Sequence, residues 1–280
     1  MSMLVRLYRR GYGRTLVGII IIAAYVFPVY WMVATSLKSS KGIFAVPPHL
    51  VPNPPTFVAY SSAVIHNPAI HKALINSVII SVGTMALTLI LALPAAYALA
   101  RLRLRLAGLV LLLLLISQML PPINLAVPLF VLFKYIGLVN TYPGLILADT
   151  VFVLPFAIII LRPFLLSIPG DLEDAAMVDG CSRLGAFSRI VLPLVVPGLI
   201  AVGALAFVLV WGEFILGLTL MTSNKMYPIT VALNRFIGQY GTQWNNLMAV
   251  STTVALPILL TFVVLQRYIV SGLAAGATKE

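Results

Sequence analysis

Charge is what this chain has least of: only 9% of its 280 residues are Asp, Glu, Lys or Arg, and just 7 are acidic. A soluble domain needs about a quarter of its residues charged, so a water-exposed globular fold is excluded. Cysteine is nearly absent too. The single Cys181 rules out an internal disulfide and any multi-cysteine zinc site. No glycine is followed by lysine, so the phosphate-binding G-x-x-x-x-G-K-[ST] loop does not exist, and the chain cannot hydrolyse nucleotide in the P-loop manner. Gly11-Tyr12-Gly13 lacks the third glycine of a dinucleotide loop. His49, His66 and His71 fall in one stretch, 38–72, that contains no acid or cysteine to complete a metal ligand set. No Ser–His–Asp arrangement or carboxylate pair is placed for catalysis, and no cofactor is expected in the chain.

What fills the sequence instead is apolar. Hydrophobic residues make up 61% of it, and the mean hydropathy is +1.07. A transmembrane helix needs about 20 mostly apolar residues, and six stretches supply them: 15–37, 73–100, 106–133, 135–161, 190–212 (continuing past Glu213 to about 222) and 236–266. Basic residues precede the first run as in a signal peptide. Its 23 uncharged residues exceed such a segment and show no clear cleavage site, so an uncleaved first span is expected. The expected fold class is all-α, a polytopic bundle of six transmembrane helices. With both termini inside, 12 basic residues (among them Arg6, Arg9, Arg10, Arg103 and Lys279) face the cytoplasm and 6 face outward. That asymmetry favours an N-in/C-in orientation. The alternating Arg101-Leu102-Arg103-Leu104-Arg105 turn suits headgroup anchoring, and the net charge of +11 points to membrane orientation rather than nucleic acid.

Prolines interrupt the runs at Pro28, Pro94, Pro121-Pro122, Pro128, Pro155 and Pro257. Each removes a helical hydrogen bond and permits a kink. Freed carbonyls are tolerated in a membrane only where protein or water satisfies them. Ala92, Ala95, Ala96, Gly203 and Ala204 let helices approach closely. The absence of a convincing internal repeat argues against a self-contained secondary transporter.

Four of the seven acids sit within nine residues: Asp171, Glu173, Asp174 and Asp179. They lie in the segment between spans four and five, on the predicted cytoplasmic side. Asp171 is a good N-cap, Asp174 three positions on imitates a capping box, and Gly180 suits a left-handed C-terminal position. Ser182 then caps a second short helix running to about Leu192. Two readings stay open. A surface helix uses acids for its own capping; alternatively a rigid docking helix with small Ala175 and Ala176 fits a partner's groove, its acids pairing with basic residues.

The run Glu173-Asp174-Ala175-Ala176-Met177-Val178-Asp179-Gly180, followed by Phe187, Ile190, Leu192-Pro193 and Pro197, resembles the EAA loop of ABC-importer permeases. That pattern has Glu-Ala-Ala, three residues, then Gly; Asp174 stands where the family usually has Glu, with Glu173 beside it to share the role. Asn140-Thr141-Tyr142-Pro143-Gly144, Leu154-Pro155-Phe156, Trp211-Gly212-Glu213-Phe214 and the tail from Gly272 to Lys279 are similar to the carbohydrate-uptake subclass, the maltose-permease-like second subunit. The subclass usually has Asn where Gly212 stands. The resemblance implies a type I ABC-importer transmembrane fold in a cell inner membrane, with the chain as a single transmembrane domain over 1–280. Within it, 72–267 would be the core five-helix region and 166–192 the cytoplasmic coupling loop. Implied partners are a second permease, two ATP-binding subunits that hold ATP and Mg, an extracytoplasmic binding protein and the lipid bilayer.

Two further acids lie at membrane depth, where ionisable groups face a cavity or a partner. Glu213, beside Trp211, is either a pathway residue or a structural carboxyl between helices. Asp149 is the lesser pathway candidate, since it is expected nearer the outer end of span four, where water would reach it. Gln118 and Asn124 flank Pro121-Pro122, where they line the pathway or satisfy kinked backbone. A permease for an amino acid, peptide or phosphate is the nearest alternative; a stand-alone secondary transporter or a membrane-embedded enzyme is further off.

Overall fold

In lipid every backbone N–H and C=O must be satisfied within its own segment, which leaves long apolar runs little choice but the helix. The computed structural model describes residues 12–102, 104–238 and 241–277. Arg6, Arg9, Arg10, Arg103 and Lys279 of the orientation count, and the end of the tail at 278–280, lie outside the described residues. The elements in chain order are α1 (Tyr12–Ser36), α2 (Ser40–Ile43), a π-helical turn (Tyr60–Ile65), α3 (Pro68–Arg101), α4 (Ala107–Ser117), α5 (Pro122–Tyr135), α6 (Tyr142–Ser167), α7 (Asp171–Val178) and α8 (Arg183–Ala186). A second π turn (Phe187–Val191) leads into α9 (Leu192–Trp211), then α10 (Ile215–Leu220) and α11 (Ile229–Leu233). A two-stranded hairpin, β1 (Ile237–Gly238) and β2 (Gly241–Thr242), precedes α12 (Trp244–Ala277).

Among the described residues five helices are long and apolar enough to cross a membrane, and the α4–α5 pair makes a sixth if it counts as one broken span. The fold is the all-α, multi-span one expected, with five boundary corrections. The run 106–133 is not one kinked helix: α4 and α5 meet at 95°. Pro121 and Pro122 both lack an N–H, so α4 ends at Ser117 and a new helix starts with Pro122 in its first turn, where no donor is needed. Span four begins at Tyr142, capped by the Thr141 hydroxyl, rather than at 135. The short helix after Ser182 does not stop near Leu192: α8, the π turn and α9 run on as one 29-residue span. Pro193, in the first turn of α9, lacks a donor, and the wider turn before it absorbs the mismatch. Span five does not continue through Glu213 either. It breaks at Gly212 and restarts as α10. The last span begins at Trp244 because 237–242 form the hairpin.

The chain divides into two compact units, 1–70 with 233–255 and 71–232 with 256–280. In the first, Lys38 sits over the Trp31 ring at 4.1 Å and donates to the His49 carbonyl at 2.5 Å, while the Ser36 and Tyr60 hydroxyls share a hydrogen bond of 2.8 Å. In the second, two apolar clusters form the interior. One joins Ile80, Leu145, Ala148, Ala206, Val210 and Leu216. The other joins Ala92, Ala96, Ala157, Leu161, Val191 and Val202. Close helix approach rests on the small residues: a Cβ added at Gly198 would stand 2.7 Å from the Phe164 ring. Most other large apolar side chains point outward (Leu112, Leu113 and Val127 are over half exposed), as a lipid-facing surface requires.

Candidate functional site

The acidic helix α7 sorts its side chains by helical spacing. Glu173 and Ala176, three apart, turn inward, while Asp171, Asp174, Ala175 and Asp179 are exposed. Asp171 is not the N-cap. Gly170 occupies that position without a side-chain cap, so Asp171 is the first helical residue. Asp171, Glu173 and Asp174 therefore all stand in the first turn, where the helix dipole favours negative charge. Gly180 closes the helix with φ +90°, a backbone region that a residue with a Cβ rarely adopts. Ser182 caps α8 by accepting from the Gly185 N–H at 3.1 Å.

Glu173 is tied to this chain's own α3. Its Oε1 pairs with Arg101 Nε at 2.7 Å, and its Oε2 accepts from the Tyr97 hydroxyl at 2.7 Å. Arg101 also donates through Nη2 to the Ile168 carbonyl at 2.5 Å, just before α7. The Tyr97 ring meets Phe187 edge-on, with centroids 4.7 Å apart, just after α8. Tyr97 and Arg101, four apart on one face of α3, thus hold the acidic segment before, within and after α7. Arg101 does not anchor to headgroups as its alternating turn suggests; it is enclosed, with 16% of its side chain exposed. Its spacing from Tyr97 was the available signal, but nothing in the sequence connects either to Glu173.

The membrane acids border one cavity of about 220 Å³, reached by Ser117, Gln118, Asp149, Phe152, Val210 and Glu213 among others. The two carboxyls differ sharply. Glu213 accepts from the backbone N–H of Leu216 at 2.7 Å and of Gly217 at 2.9 Å, so it satisfies the open end of α10. Asp149 is 3% exposed, and among the described residues neither of its oxygens has a hydrogen-bond partner. The water-exposed position expected for it is overturned: it sits two turns into α6, buried at the edge of the cavity. Gln118 borders the cavity and donates to the Phe152 carbonyl at 3.1 Å, linking the broken span to α6. Asn124 is exposed and Trp211 is buried against Phe207, stacked at 5.4 Å; neither reaches the cavity.

One polar residue with no sequence signature also organises this unit. Asn76, fully buried in α3, donates to the carbonyls of Lys225 and Tyr227 at 3.0 and 2.9 Å and accepts from the Tyr142 hydroxyl at 2.8 Å. It binds the segment before α11 to α3 and α6.

A family model described as the binding-protein-dependent transport system inner membrane component matches residues 89–274. The chain is 36% identical to the sulfoquinovosyl glycerol transport system permease protein of Agrobacterium fabrum, over 95% of this chain and 93% of that one. It is 34% identical to the diacetylchitobiose uptake system permease protein of Streptomyces coelicolor, over 94% and 95% of the two chains. The trehalose transport system permease protein of Mycobacterium tuberculosis is 34% identical over 97% and 98%. Among solved structures, a chain of a bacterial ABC transporter involved in the import of the acidic polysaccharide alginate superposes with a TM-score of 0.79 at 20% identity, covering 96% of this chain and 98% of that one. That likeness is one of fold.

Proposed function

The chain belongs to the family of binding-protein-dependent transport system inner membrane components, and from that membership we propose that it is one transmembrane permease subunit of an ATP-driven importer for a sugar or oligosaccharide. Relatives named for trehalose and diacetylchitobiose uptake support the substrate class. The other components are a second permease, two ATP-binding subunits that bind ATP and Mg and carry out hydrolysis, and an extracytoplasmic binding protein. The chain is oriented N-in/C-in, in keeping with its 12 inner and 6 outer basic residues. The core five-helix region spans 72–267.

The observation that supports the role best is α7. Within the coupling loop at 166–192, Asp171, Asp174 and Asp179 project outward while Glu173 holds the helix to α3. The exposed acids dock on basic residues of an ATP-binding subunit, Ala175 and Gly180 allow close approach, and the tether passes motion of the docked helix into the bundle. Such coupling requires contacts that differ between the two conformations. Glu213, Asp149 and Gln118 border the membrane pathway, with Trp211 and Asn124 supporting the break regions beside it.

The test is ATPase activity of the assembled complex with and without loaded binding protein. Reversing charge at Asp171 and Asp174 should abolish stimulation or assembly while the chain still inserts. Full stimulation in that variant would overturn the coupling assignment.

A further inference from the structure

The first compact unit carries a recess of about 330 Å³, within the ~300–1,000 Å³ of small-molecule sites. It shares no residue with the membrane cavity. Its walls come from α2, the π turn at Tyr60–Ile65, β2 and the start of α12, all within that unit. These segments follow α1 and open α12, so the N-in orientation puts them on the outer face. Three carboxamides (Gln243, Asn245 and Asn246), the Ser40 hydroxyl and the rings of Phe44 and Trp244 border the recess, and no charged residue does. Phe44 is 69% exposed and Trp244 40%. A tryptophan that only marks the membrane interface needs neither a recess nor flanking carboxamides. The Gln243 backbone is fixed from both sides: its N–H donates to the Phe236 carbonyl, and its carbonyl accepts from the Leu247 N–H, both at 2.9 Å. Asn246 Nδ2 donates to Gln243 Oε1 at 2.9 Å. Among the described residues, Gln243 Nε2 is then left as a donor and Asn246 Oδ1 as an acceptor. One donor and one acceptor held beside an exposed ring suit the neighbouring hydroxyls of a sugar, each of which both donates and accepts. The apolar face of the sugar ring suits the aromatic one.

We propose that this recess is a saccharide-binding site on the outer face of the permease: one sugar ring lies on Trp244, and its hydroxyls bond to Gln243 and Asn246. This rests on the sugar-importer reading and deepens it, giving the permease a site of its own outside the membrane. A sugar released at the outer face is held there before it enters the bundle. The site is open and its contacts are few, so binding is weak and the sugar leaves readily.

The test begins with uptake of trehalose, maltose and diacetylchitobiose by the assembled importer in proteoliposomes with its loaded binding protein. The sugar imported is then added to the same importer in nanodiscs, without binding protein. The importer carries a reporter thiol introduced by Ser40→Cys on the rim of the recess. Maleimide labelling is read by mass on the peptide containing residue 40. At about ten times its Kd the sugar should slow labelling about tenfold, and sodium chloride of equal osmolality should not. Trp244→Ala should abolish the protection and Trp244→Phe, which keeps an aromatic face, should retain most of it. If Trp244→Ala fails to assemble, the double variant Gln243→Ala with Asn246→Ala takes its place, with the same loss expected. A sugar that is imported but gives no protection, or protection that survives these variants, overturns the site alone. Protection by sugar-free binding protein with none by free sugar makes the recess a protein contact and overturns it too. Import of none of the saccharides overturns the sugar reading on which the site rests.

Discussion

Glu173→Gln probes the tether of the acidic helix most sharply, because it keeps the shape of the side chain and removes its charge. The ion pair it breaks is enclosed, with 10% of the Glu173 and 16% of the Arg101 side chain exposed, so solvent screens it little. Removing one partner of a buried pair costs about 3–5 kcal/mol, mostly because the other charge is left stranded. Tyr97→Phe removes one hydrogen bond to a charged acceptor, worth about 1.5–3 kcal/mol. If α7 opens locally by releasing this tether, the lower figure of about 3 kcal/mol raises the opening equilibrium roughly a hundredfold. Hydrogen exchange on residues 171–180 of the assembled complex reads this directly. The Glu173→Gln variant should exchange about two orders of magnitude faster there, with the rest of the bundle unchanged. Glu173→Met combined with Arg101→Met should be milder than either single change, since no charge is stranded. Unchanged protection in Glu173→Gln, or a double variant as damaging as the sum of the singles, would refute the tether.

Other residues give simpler expectations. Glu213→Ala should lower the thermal stability of the complex by about 1–2 kcal/mol through loss of the α10 cap, and Glu213→Gln, which keeps one acceptor oxygen, by less; equal losses would contradict the capping role. Asn76→Leu leaves the Lys225 and Tyr227 carbonyls and the Tyr142 hydroxyl without their partner, at about 1–3 kcal/mol for each buried group. Its melting temperature should fall more than that of any of the other variants in this paragraph. Gly180→Ala must place a side chain at φ +90°, costing about 1–2 kcal/mol, and should weaken binding-protein stimulation of ATPase before it affects insertion. Gly198→Ala brings a methyl 2.7 Å from the Phe164 ring, and the forced shift of α6 against α9 should cost about 1–3 kcal/mol in a melting experiment.

The helical spans were legible because lipid enforces helix on apolar runs and composition alone reports the runs. Their breaks were less so. Pro121-Pro122 announced a kink, but a 95° turn rather than a bend depends on how α5 packs against α10 and α6. The acid cluster was visible in the sequence, as were the left-handed Gly180 and the Ser182 cap. The inward turn of Glu173 was not, because its partners Tyr97 and Arg101 lie 76 and 72 residues away in the chain, on another helix. Glu213 and Asp149 looked alike as membrane acids. Only the positions of the Leu216 and Gly217 N–H groups separate a helix cap from an unpartnered carboxyl. Trp211 stands beside Glu213 in the sequence, yet its helical phase turns it toward Phe207 rather than the cavity. Asn76 gave no signal at all, since a single amide in an apolar run looks the same whether it bridges three segments or faces lipid.

The central claim is that this chain moves a saccharide only as part of an ATP-driven assembly. The direct measurement is uptake of radiolabelled sugar into proteoliposomes that contain this chain, the second permease and the ATP-binding subunits, with the loaded binding protein outside and ATP inside. Uptake should require all of these together and should stop when Asp171 and Asp174 are charge-reversed. Uptake by this chain alone, without nucleotide or binding protein, would contradict the account.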